Sequence, residues 1–428
     1  MAIWLFTFIV LFLVIGMPIA FGLGLAVAMT ILINGKIPMT MVFQQFYQGV
    51  DSFTLIALPL FILAGNLIAQ AKIIDDILVL CNVLVGKIRG GLANANIVGS
   101  MFFAGISGSA VAETAAIGGA LIPAMVKNGY DPDFSVAVTA SASVIGPIIP
   151  PSIGMVLYGS IMPVSVAALF AGGLVPGIML GIGLMMVATF ISYKRKYPVI
   201  TEKYGVKGTI KALVKTFPAL LMPIIILGGI LGGVFTPTEA AAVANIYALL
   251  IGFFYYRSLD LKGVISCIKS SMVLAGAVLT IVAITYPLGW LVAMGQVPQH
   301  LVEIITSITS NKYLVLFFIN IFLLFLGCIM DANANLLIFA PILAPLALQL
   351  GIDPVHFGVI FVLNIIIGLA TPPFGVCLFV ASGIGKIPIE RAMKAIIPFV
   401  LVEICVLFLV TYFPALILTF PKLMGLIK

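Results

Sequence analysis

The stretch GPIIPP at residues 146–151 is repeated as GLATPP at residues 368–373, and both stretches end in a double proline. The match extends upstream, because residues 105–151 align with residues 327–373 without a gap at a constant offset of 222. The equivalent positions are Gly105 and Gly327, Pro123 and Pro345, Gly129 and Gly351, Asp131-Pro132 and Asp353-Pro354, Gly146 and Gly368, and Pro150-Pro151 and Pro372-Pro373. A gap-free register through two double prolines predicts an internal structural repeat.

The composition places this repeat in a membrane. Of the 428 residues, 63% are hydrophobic and only 8% are charged, whereas an average soluble domain is about half apolar and about a quarter charged. The apolar residues also form runs of roughly 18–30 residues, long enough to cross a hydrocarbon core of ~30 Å. We therefore predict an all-α polytopic membrane protein. Soluble enzymes, coiled coils and disordered proteins are excluded, as is a β-barrel, whose strands would alternate in segments of ~10 residues.

At least nine apolar runs are predicted to cross the membrane. The first is interpreted as one uncleaved helix, because no basic segment precedes it and it is longer than the core of a signal peptide. The runs lie near residues 3–33, 53–70, 134–162, 164–193, 217–235, 237–256, 272–296, 355–385 and 395–420.

Two other regions, residues 90–127 and 313–350, have a different pattern. Each contains an apolar segment, a short break of small and polar residues, and a second apolar segment that is too short to cross the membrane comfortably. This pattern predicts a re-entrant helical hairpin, which exists at membrane depth only when it is buried in protein or lines a cavity. A short amphipathic segment, near residues 72–89 and 298–310, precedes each hairpin.

The basic residues predict the orientation of the chain. With residues 194–215 placed in the cytoplasm and the hairpins treated as non-crossing, 17 of the 21 basic side chains fall inside and 4 outside. The inner set is Lys72, Lys87, Arg89, Lys127, Lys194, Arg195, Lys196, Lys203, Lys207, Lys211, Lys215, Arg257, Lys262, Lys269, Lys386, Arg391 and Lys394, and the outer set is Lys36, Lys312, Lys422 and Lys428. This asymmetry follows the positive-inside rule, so the net charge of +7 requires no nucleic acid partner. It places the N-terminus inside, with the first hairpin entering from the cytoplasm and the second from outside.

The same topology puts five crossings between equivalent points of the repeat, and an odd number means that the halves are inverted. We predict inverted repeat 1 over residues 1–193, a cytoplasmic basic loop and linking helix over 194–235, and inverted repeat 2 over 236–428. The helices over 134–162 and 355–385 are predicted to be broken at the double prolines. Inverted repeats with broken helices are typical of secondary transporters, whose site lies at the midplane between the halves.

The double prolines are also predicted to open backbone carbonyls. A proline inside a helix lacks the N–H that bonds to the carbonyl four residues earlier. The carbonyls freed in this way are those of Gly146, Pro147, Gly368 and Leu369. Free carbonyls in a bilayer are costly unless something binds them, and broken helices of this kind hold Na⁺ in transporters. The alternative is a plain helix kink whose carbonyls are satisfied by neighbouring groups.

The tips of the predicted hairpins supply polar groups opposite the breaks. The first tip, GISGSAVAET at residues 105–114, offers Ser107 and Ser109, and the second, GCIMDANAN at residues 327–335, offers Asp331, Asn333 and Asn335. Hydroxyls, amides and the N–H groups of helix N-termini suit a monovalent cation together with an anionic solute. The alternative role of such side chains is hydrogen bonding between buried helices.

Three acidic residues lie in or beside apolar segments. Asp331 could ligate a cation, carry a proton or cap a hairpin helix, and its counterpart in the first repeat is Ser109. Glu113 and Glu239 lie at the starts of predicted helices. We interpret both as ordinary caps, because acidic residues are favoured in a first helical turn.

Signals for catalysis are weak. No GxxxxGK[ST] loop occurs, and neither His300 nor His356 belongs to an HExxH motif. Asp75 and Asp76 lie at the edge of an amphipathic segment and are predicted to be solvated. An intramembrane enzyme would need Asp331 to converge with a second acidic residue, so it is the minor alternative to a transporter.

Four segments resemble a known transporter family. They are GISGSAVAETAAIGGALIPAM (105–125), GGVFTPTEAAAVA (232–244), and the paired GPIIPP (146–151) and GLATPP (368–373). In them the sequence resembles the large membrane subunit of tripartite ATP-independent periplasmic (TRAP) transporters, and the resemblance covers essentially the whole chain. It implies an elevator, in which a transport domain holding both hairpins moves against a scaffold and is driven by an inward Na⁺ gradient.

The resemblance also implies partners and substrates. In this family a small four-helix membrane subunit extends the scaffold, and a periplasmic binding protein delivers the substrate. Some relatives fuse the two membrane subunits, but this chain begins with the first helix of the large one, so we expect a separate small subunit in the bacterial inner membrane. The implied substrates are organic anions, chiefly C4-dicarboxylates and sugar acids such as sialic acid. A carrier that needs no partner is the alternative.

The resemblance further places one Na⁺ site between the first tip and the first break, a second between the second tip and the second break, and the substrate between the tips. The expected Na⁺ ligands are Gly105, Ser107, Ser109, Gly146 and Pro147 in the first site, and Gly327, Asp331, Asn333, Gly368, Leu369 and Thr371 in the second. The expected substrate-binding residues are Ser109, Pro150, Pro151, Asn333, Asn335, Thr371, Pro372 and Pro373. Because no arginine lies at membrane depth, a substrate carboxylate would be met by backbone N–H groups, hydroxyls and amides.

Overall fold

The computed structural model describes residues 1–71, 73–199, 206–309 and 311–427, and within them the regular structure is helical. The α-helices are α1 (Ala2–Val14), α2 (Ile19–Asn34), α3 (Thr40–Val50), α4 (Ala57–Gln70), α5 (Ile73–Val85), α6 (Gly91–Ser107), α7 (Ala110–Lys127), α8 (Pro132–Ala142), α9 (Ile153–Ile161), α10 (Val166–Lys194), α11 (Val206–Leu231), α12 (Pro237–Leu250), α13 (Leu261–Met294), α14 (Val297–Ile308), α15 (Lys312–Ile329), α16 (Ala332–Gln349), α17 (Pro354–Gly368), α18 (Val376–Gly385), α19 (Ile389–Tyr412) and α20 (Ala415–Leu423). A 3₁₀ turn over Phe53–Ile56 leads into α4, and a π-helical turn over Ile251–Tyr255 extends α12.

Nine helical segments of the described chain are long and apolar enough to cross a membrane. They include α7, α15 and α16, which have 18 residues each. At a rise of about 1.5 Å per residue, such a helix is nearly as long as a hydrocarbon core is thick. By length and composition alone, the second segments of the predicted hairpins, α7 and α16, are thus candidate spans, and the re-entrant hairpins stay a prediction. Pro123 in α7, and Pro341 and Pro345 in α16, lie inside their helices without ending them.

The prediction of one long first helix was wrong. The chain breaks between α1 and α2, where Gly16 has a left-handed φ of +80° and Pro18 precedes α2. Pro18 has no N–H to bond to the carbonyl of Val14, and its ring crowds that carbonyl, while glycine accepts positive φ without strain. The two short helices pack against each other, and a Cβ on Gly22 would lie 3.4 Å from the Cβ of Phe12.

The other predicted runs correspond to helices, with the two predicted breaks present as interruptions. Residues 134–162 form α8 and α9, and residues 355–385 form α17 and α18. Residues 395–420 are divided between α19 and α20. Lys72, Lys203 and Lys428, three basic residues used for the topology, lie outside the described residues.

A helix pair occupies each predicted hairpin, and the two pairs have equivalent local structure. Helices α6 and α7 meet at Ser109, which caps α7 by accepting a hydrogen bond from the N–H of Ala112. Helices α15 and α16 meet at Asp331, which caps α16 in the same way through the N–H groups of Asn333 and Ala334. Each pair ends in a left-handed glycine, at positions 129 and 351, before the Asp-Pro start of the next helix. The repeat seen in the sequence is thus a repeat of backbone conformation.

The two repeats are interlocked. Helix α7 packs on α8 of its own repeat and on α18, which follows the second break. Helix α16 packs on α17 of its own repeat and on α9, which follows the first break. Each hairpin therefore lies between the helix before its own break and the helix after the other one.

Buried asparagines hold each hairpin to its neighbouring helix. In the first repeat, the amide of Asn96 on α6 donates to the hydroxyl of Thr139 on α8 at 2.6 Å. In the second, the amide of Asn364 on α17 donates to the carbonyl oxygen of Asn320 on α15 at 2.7 Å, and Asn320 donates to Thr411 on α19 at 3.0 Å. Hydrogen bonds of this kind fix helices relative to each other in an apolar interior.

The two Asp-Pro starts differ in what the aspartate binds. Asp353 caps α17 through the N–H groups of Val355 and His356. Asp131 instead accepts hydrogen bonds from the Tyr197 hydroxyl at 2.6 Å and from the Arg195 guanidinium at 2.7 Å. These bonds tie the end of the first hairpin to the chain that follows α10. The Tyr197 hydroxyl, followed by Arg195, lowers the pKa of the Asp131 carboxyl.

Tyr197→Phe is expected to reduce stability slightly at neutral pH and less in acid, where only the hydrogen bond that the hydroxyl accepts from Arg195 at 3.2 Å is lost. A carboxyl with a depressed pKa contributes stability above its unfolded pKa and loses it as the pH falls through the folded one. Because half of the Asp131 side chain is exposed, the loss should stay below about 1 kcal/mol. Thermal unfolding followed from pH 7 downward measures it. Tyr193→Phe is the matched control, since the ring that stacks under Arg89 is kept; an equal loss for both variants at every pH would contradict the prediction.

Candidate functional site

Each hairpin tip lies against the break of its own repeat, and glycine makes the close approach possible. A Cβ on Gly108, whose φ is +61°, would lie 2.6 Å from the carbonyl oxygen of Pro151. In the second repeat, a Cβ on Gly327 would lie 3.1 Å from the Cα of Gly368. Since backbone meets backbone in both places, a larger residue could not be accommodated by turning a side chain.

Both tips and both breaks border one small cavity of about 70 Å³. The polar side chains around it are Ser109, Asp331 and Asn333, and the breaks contribute Pro147 and Leu369. Two halves of the sequence that lie more than 200 residues apart therefore meet at a single place. The cavity is well below the ~300–1,000 Å³ that is usual for ligand pockets, so in this arrangement it is too small to enclose an organic solute.

The other predicted site residues are not among those that line the cavity. Asn335 is fully buried, with neither amide atom hydrogen-bonded in the described part of the chain, and Ser107 is buried with its hydroxyl likewise unpartnered. The Thr371 hydroxyl donates to the carbonyl of Ile367 at 2.8 Å. Eight further predicted residues do not line the cavity, namely Gly105, Gly146, Pro150, Pro151, Gly327, Gly368, Pro372 and Pro373.

The two breaks differ in their carbonyls. In the second, the carbonyl of Gly368 accepts from the N–H of Thr371 at 3.1 Å, and that of Leu369 accepts from the N–H of Cys377 at 2.9 Å. The prediction of free carbonyls was wrong here, because the chain turns back and supplies backbone donors. In the first break, no hydrogen bond within the described residues reaches the carbonyls of Gly146 or Pro147.

Of the three acidic residues in or beside apolar segments, two cap helices and the third does not. Asp331 caps α16, which is one of the three roles considered for it. Glu239 forms a capping box with Thr236, as predicted. Glu113 does not cap, so that interpretation was wrong: its side chain is 0% exposed, and neither carboxylate oxygen has a partner among the residues described. The reason is its register, since Glu239 lies three residues after its N-cap, where a capping box closes, whereas Glu113 lies four after Ser109.

Asp76 was predicted to be solvated, and the structure instead pairs it. Its carboxylate forms a salt bridge with the Lys215 ammonium at 2.7 Å, and only 13% of its side chain is exposed. The side chain of Asp75 lies outside what the structure describes. No cluster of three or more His, Cys, Asp or Glu side chains occurs in the described ranges. The atoms that this site offers to a cation are oxygen atoms of carbonyls, hydroxyls and single carboxylates.

Sequence comparison decides the family. The model of the family described as "Tripartite ATP-independent periplasmic transporter, DctM component" matches residues 5–416. The chain belongs to this family. It is therefore a large permease subunit of a TRAP transporter and a multi-pass protein of the bacterial inner membrane. The relatives are transporter permeases, so the alternative of an intramembrane enzyme is set aside.

Curated relatives of this TRAP subunit carry different substrate names. It is 40% identical to the sialic acid TRAP transporter large permease protein SiaM of Vibrio cholerae, over 95% of each chain. It is 37% identical to the C4-dicarboxylate TRAP transporter large permease protein DctM of Pseudomonas aeruginosa, again over 95% of each. It is 41% identical to the isethionate TRAP transporter permease protein DctMQ of Oleidesulfovibrio alaskensis, over 96% of this chain and 65% of that one.

A solved structure supports the fold of the TRAP subunit. The Alcanivorax borkumensis YdaH transporter superposes with a TM-score of 0.65 at 12% sequence identity. The superposition covers 88% of this chain and 89% of that one. At this identity the likeness concerns the fold alone.

Proposed function

We propose that this subunit carries out Na⁺-coupled uptake of an organic anion, a C4-dicarboxylate or a sugar acid such as sialic acid. The observation that carries the proposal is the single cavity bordered by both hairpin tips and both breaks. A substrate between the tips would contact both repeats at once, so its binding would be linked to any movement of one repeat against the other. The named relatives are permeases for a sugar acid, a dicarboxylate and a sulfonate, all of them organic anions.

The first tip presents donors suited to an anion. Ala110 and Val111, the first two residues of α7, border the cavity. Neither N–H takes part in a hydrogen bond within the described residues. Free N–H groups at a helix N-terminus attract anions. The second tip differs, because Asp331 already accepts from two N–H groups of α16. A carboxylate is therefore expected to bind on the α7 side of the cavity, with Asn333 opposite.

The site also fits the proposed coupling ion. A hard cation such as Na⁺ prefers oxygen ligands. The open carbonyls of Gly146 and Pro147 and the unpartnered hydroxyl of Ser107 lie around the first break and provide such atoms. When bound, Na⁺ would supply positive charge close to the substrate. We further propose inverted repeats working as an elevator, a small four-helix membrane subunit as a separate chain, and a periplasmic binding protein that delivers the substrate.

Uptake into proteoliposomes tests this function. The purified subunit is reconstituted with its small membrane subunit, and labelled sialic acid or C4-dicarboxylate is added together with the binding protein. We expect uptake with an inward Na⁺ gradient, and loss of uptake when the gradient is collapsed or K⁺ replaces Na⁺. Uptake that is indifferent to Na⁺ would rule out the proposed coupling. Full uptake by the chain alone would favour a self-sufficient carrier.

A further inference from the structure

Glu113 is a buried acid that the proposed function does not use. Its carboxylate is 0% exposed and has no hydrogen-bond partner among the described residues. A Cβ on Gly146 would collide with Oε2 of Glu113, so this oxygen lies against the backbone of the first break. The same Cβ position is 3.4 Å from the carbonyl oxygen of Ser143. The hydroxyl of Ser100 lies beside the carboxylate and is itself unpartnered.

The Ser100 hydroxyl is a donor beside the Glu113 carboxylate, whereas the backbone groups of the first break beside it are acceptors. Pro147 has no N–H to offer the carbonyl of Ser143, and no hydrogen bond in the described ranges reaches that carbonyl or the carbonyl of Gly146. An ionised carboxylate buried without a partner is costly in an apolar interior. A cation held by these oxygens would remove that cost, and a hard monovalent ion suits an all-oxygen site.

The second repeat contains a neutral counterpart. Asn335 lies 222 residues after Glu113, at the equivalent position of α16. It is also 0% exposed, and neither atom of its amide has a partner in the part of the chain that is described. The second break differs further, because the carbonyls of Gly368 and Leu369 already accept backbone hydrogen bonds. At equivalent positions, the first repeat therefore has an ionisable side chain, Glu113, and the second has a neutral one, Asn335.

We infer that Glu113 supplies the charged ligand of a Na⁺ site at the first break, and that Asn335 is its uncharged counterpart at the second. This inference rests on the proposed Na⁺ coupling. It adds that the two ion sites are unequal: the first contains a buried carboxylate without a cap role beside open carbonyls, whereas in the second the carboxylate of Asp331 caps α16, the equivalent buried position is an amide, and the carbonyls are already in use. The first site therefore binds Na⁺ more tightly.

Glu113→Gln tests this inference, because it removes the charge and keeps the shape. The readout is the Na⁺ dependence of thermal unfolding of the purified chain in nanodiscs, titrated with NaCl against KCl at constant ionic strength. We expect the tighter of the apparent Na⁺ dissociation constants to rise about 10- to 100-fold, as on loss of one charged contact. Unchanged Na⁺ affinity in Glu113→Gln would overturn the inference and indicate a carboxyl that is kept neutral.

Glu403→Gln is the matched control. Glu403 on α19 is also 0% exposed with an unpartnered carboxylate, but it lies beside Ser141 within α8 rather than at the break. Its Na⁺ affinity is expected to stay within about threefold of wild type. A loss as large as that in Glu113→Gln would show a general effect of removing a buried acid and would overturn the inference.

Asn335→Asp provides the converse test and does not depend on a loss of function. Placing a carboxylate at the equivalent position is expected to strengthen the weaker Na⁺ site, and KCl should give no such effect. A variant that folds and shows no gain in Na⁺ response contradicts the unequal pair. If the wild-type chain itself shows no difference between NaCl and KCl, the proposed Na⁺ coupling fails, which distinguishes that outcome from failure of the inference alone.

Discussion

Gly368→Ala is expected to destabilise the protein by about 3 kcal/mol and to abolish uptake. A Cβ on Gly368 would collide with the Cα and carbonyl carbon of Gly327, and it would lie 2.8 Å from the Gly327 oxygen. These are backbone atoms of α15, so no rotamer change relieves the clash, and the second hairpin must move away from its break. Thermal unfolding and proteoliposome uptake measure the two effects.

Gly383→Ala is the control for this substitution. Gly383 lies in α18 of the same repeat, and a Cβ there would have no atom within 4 Å. Alanine is favoured over glycine inside a helix by up to about 1 kcal/mol, so this variant should unfold at the same or a higher temperature. If Gly368→Ala were as stable and active as Gly383→Ala, the close packing of tip and break would not be needed for function.

Asn320→Ala is expected to lower the free energy of unfolding by about 2–3 kcal/mol, because it removes the central member of a buried row of three hydrogen-bonded side chains. Asn320 joins α15 to α17 through Asn364 and to α19 through Thr411, and all three side chains are at most 1% exposed. Without it, the amide of Asn364 has lost its acceptor in an apolar interior. Chemical or thermal unfolding in detergent measures the loss.

Two further variants isolate this effect. The double variant Asn320→Ala with Asn364→Ala should lose less free energy of unfolding than the sum of the two single variants, by about 0.6–1.7 kcal/mol. The reason is that neither partner is then left with an unsatisfied polar group. Asn128→Ala is the surface comparison, since that amide bonds only to the carbonyl of Ala124 in an exposed position. If the losses of the two buried variants were strictly additive, or if Asn128→Ala and Asn320→Ala lost the same free energy of unfolding, the prediction that the buried hydrogen bonds stabilise the protein would be contradicted.

Local signals in the sequence were reliable where a residue acts on its own helix. Glu239 lies three residues after Thr236, and the predicted cap is present as a capping box. The double prolines predicted interruptions near residues 146–151 and 368–373, and both helices are interrupted there. Gly16 and Pro18 carried an equally local signal that the interpretation of one long first helix passed over.

Signals failed where a distant group decides the outcome. The carbonyl of Leu369 was expected to be free because Pro373 has no N–H, but the N–H of Cys377 reaches it after the chain turns back. The register of Glu113 excludes a capping box, and no local pattern indicated that its carboxylate would lie against the Gly146 backbone.

The sequence by itself determined the membrane environment, the helical class, the repeat at an offset of 222 and the residues that interrupt the helices. These features depend on composition, on the backbone hydrogen bonds that proline removes, and on the backbone conformations that glycine permits within one turn. Only the tertiary structure decided that α7 packs on α18 and α16 on α9, that both tips border one cavity, and that Glu113 lies unpartnered at the first break. The reason is physical: contacts between helices that are distant in the chain are set by how whole helices pack, and no local pattern encodes them.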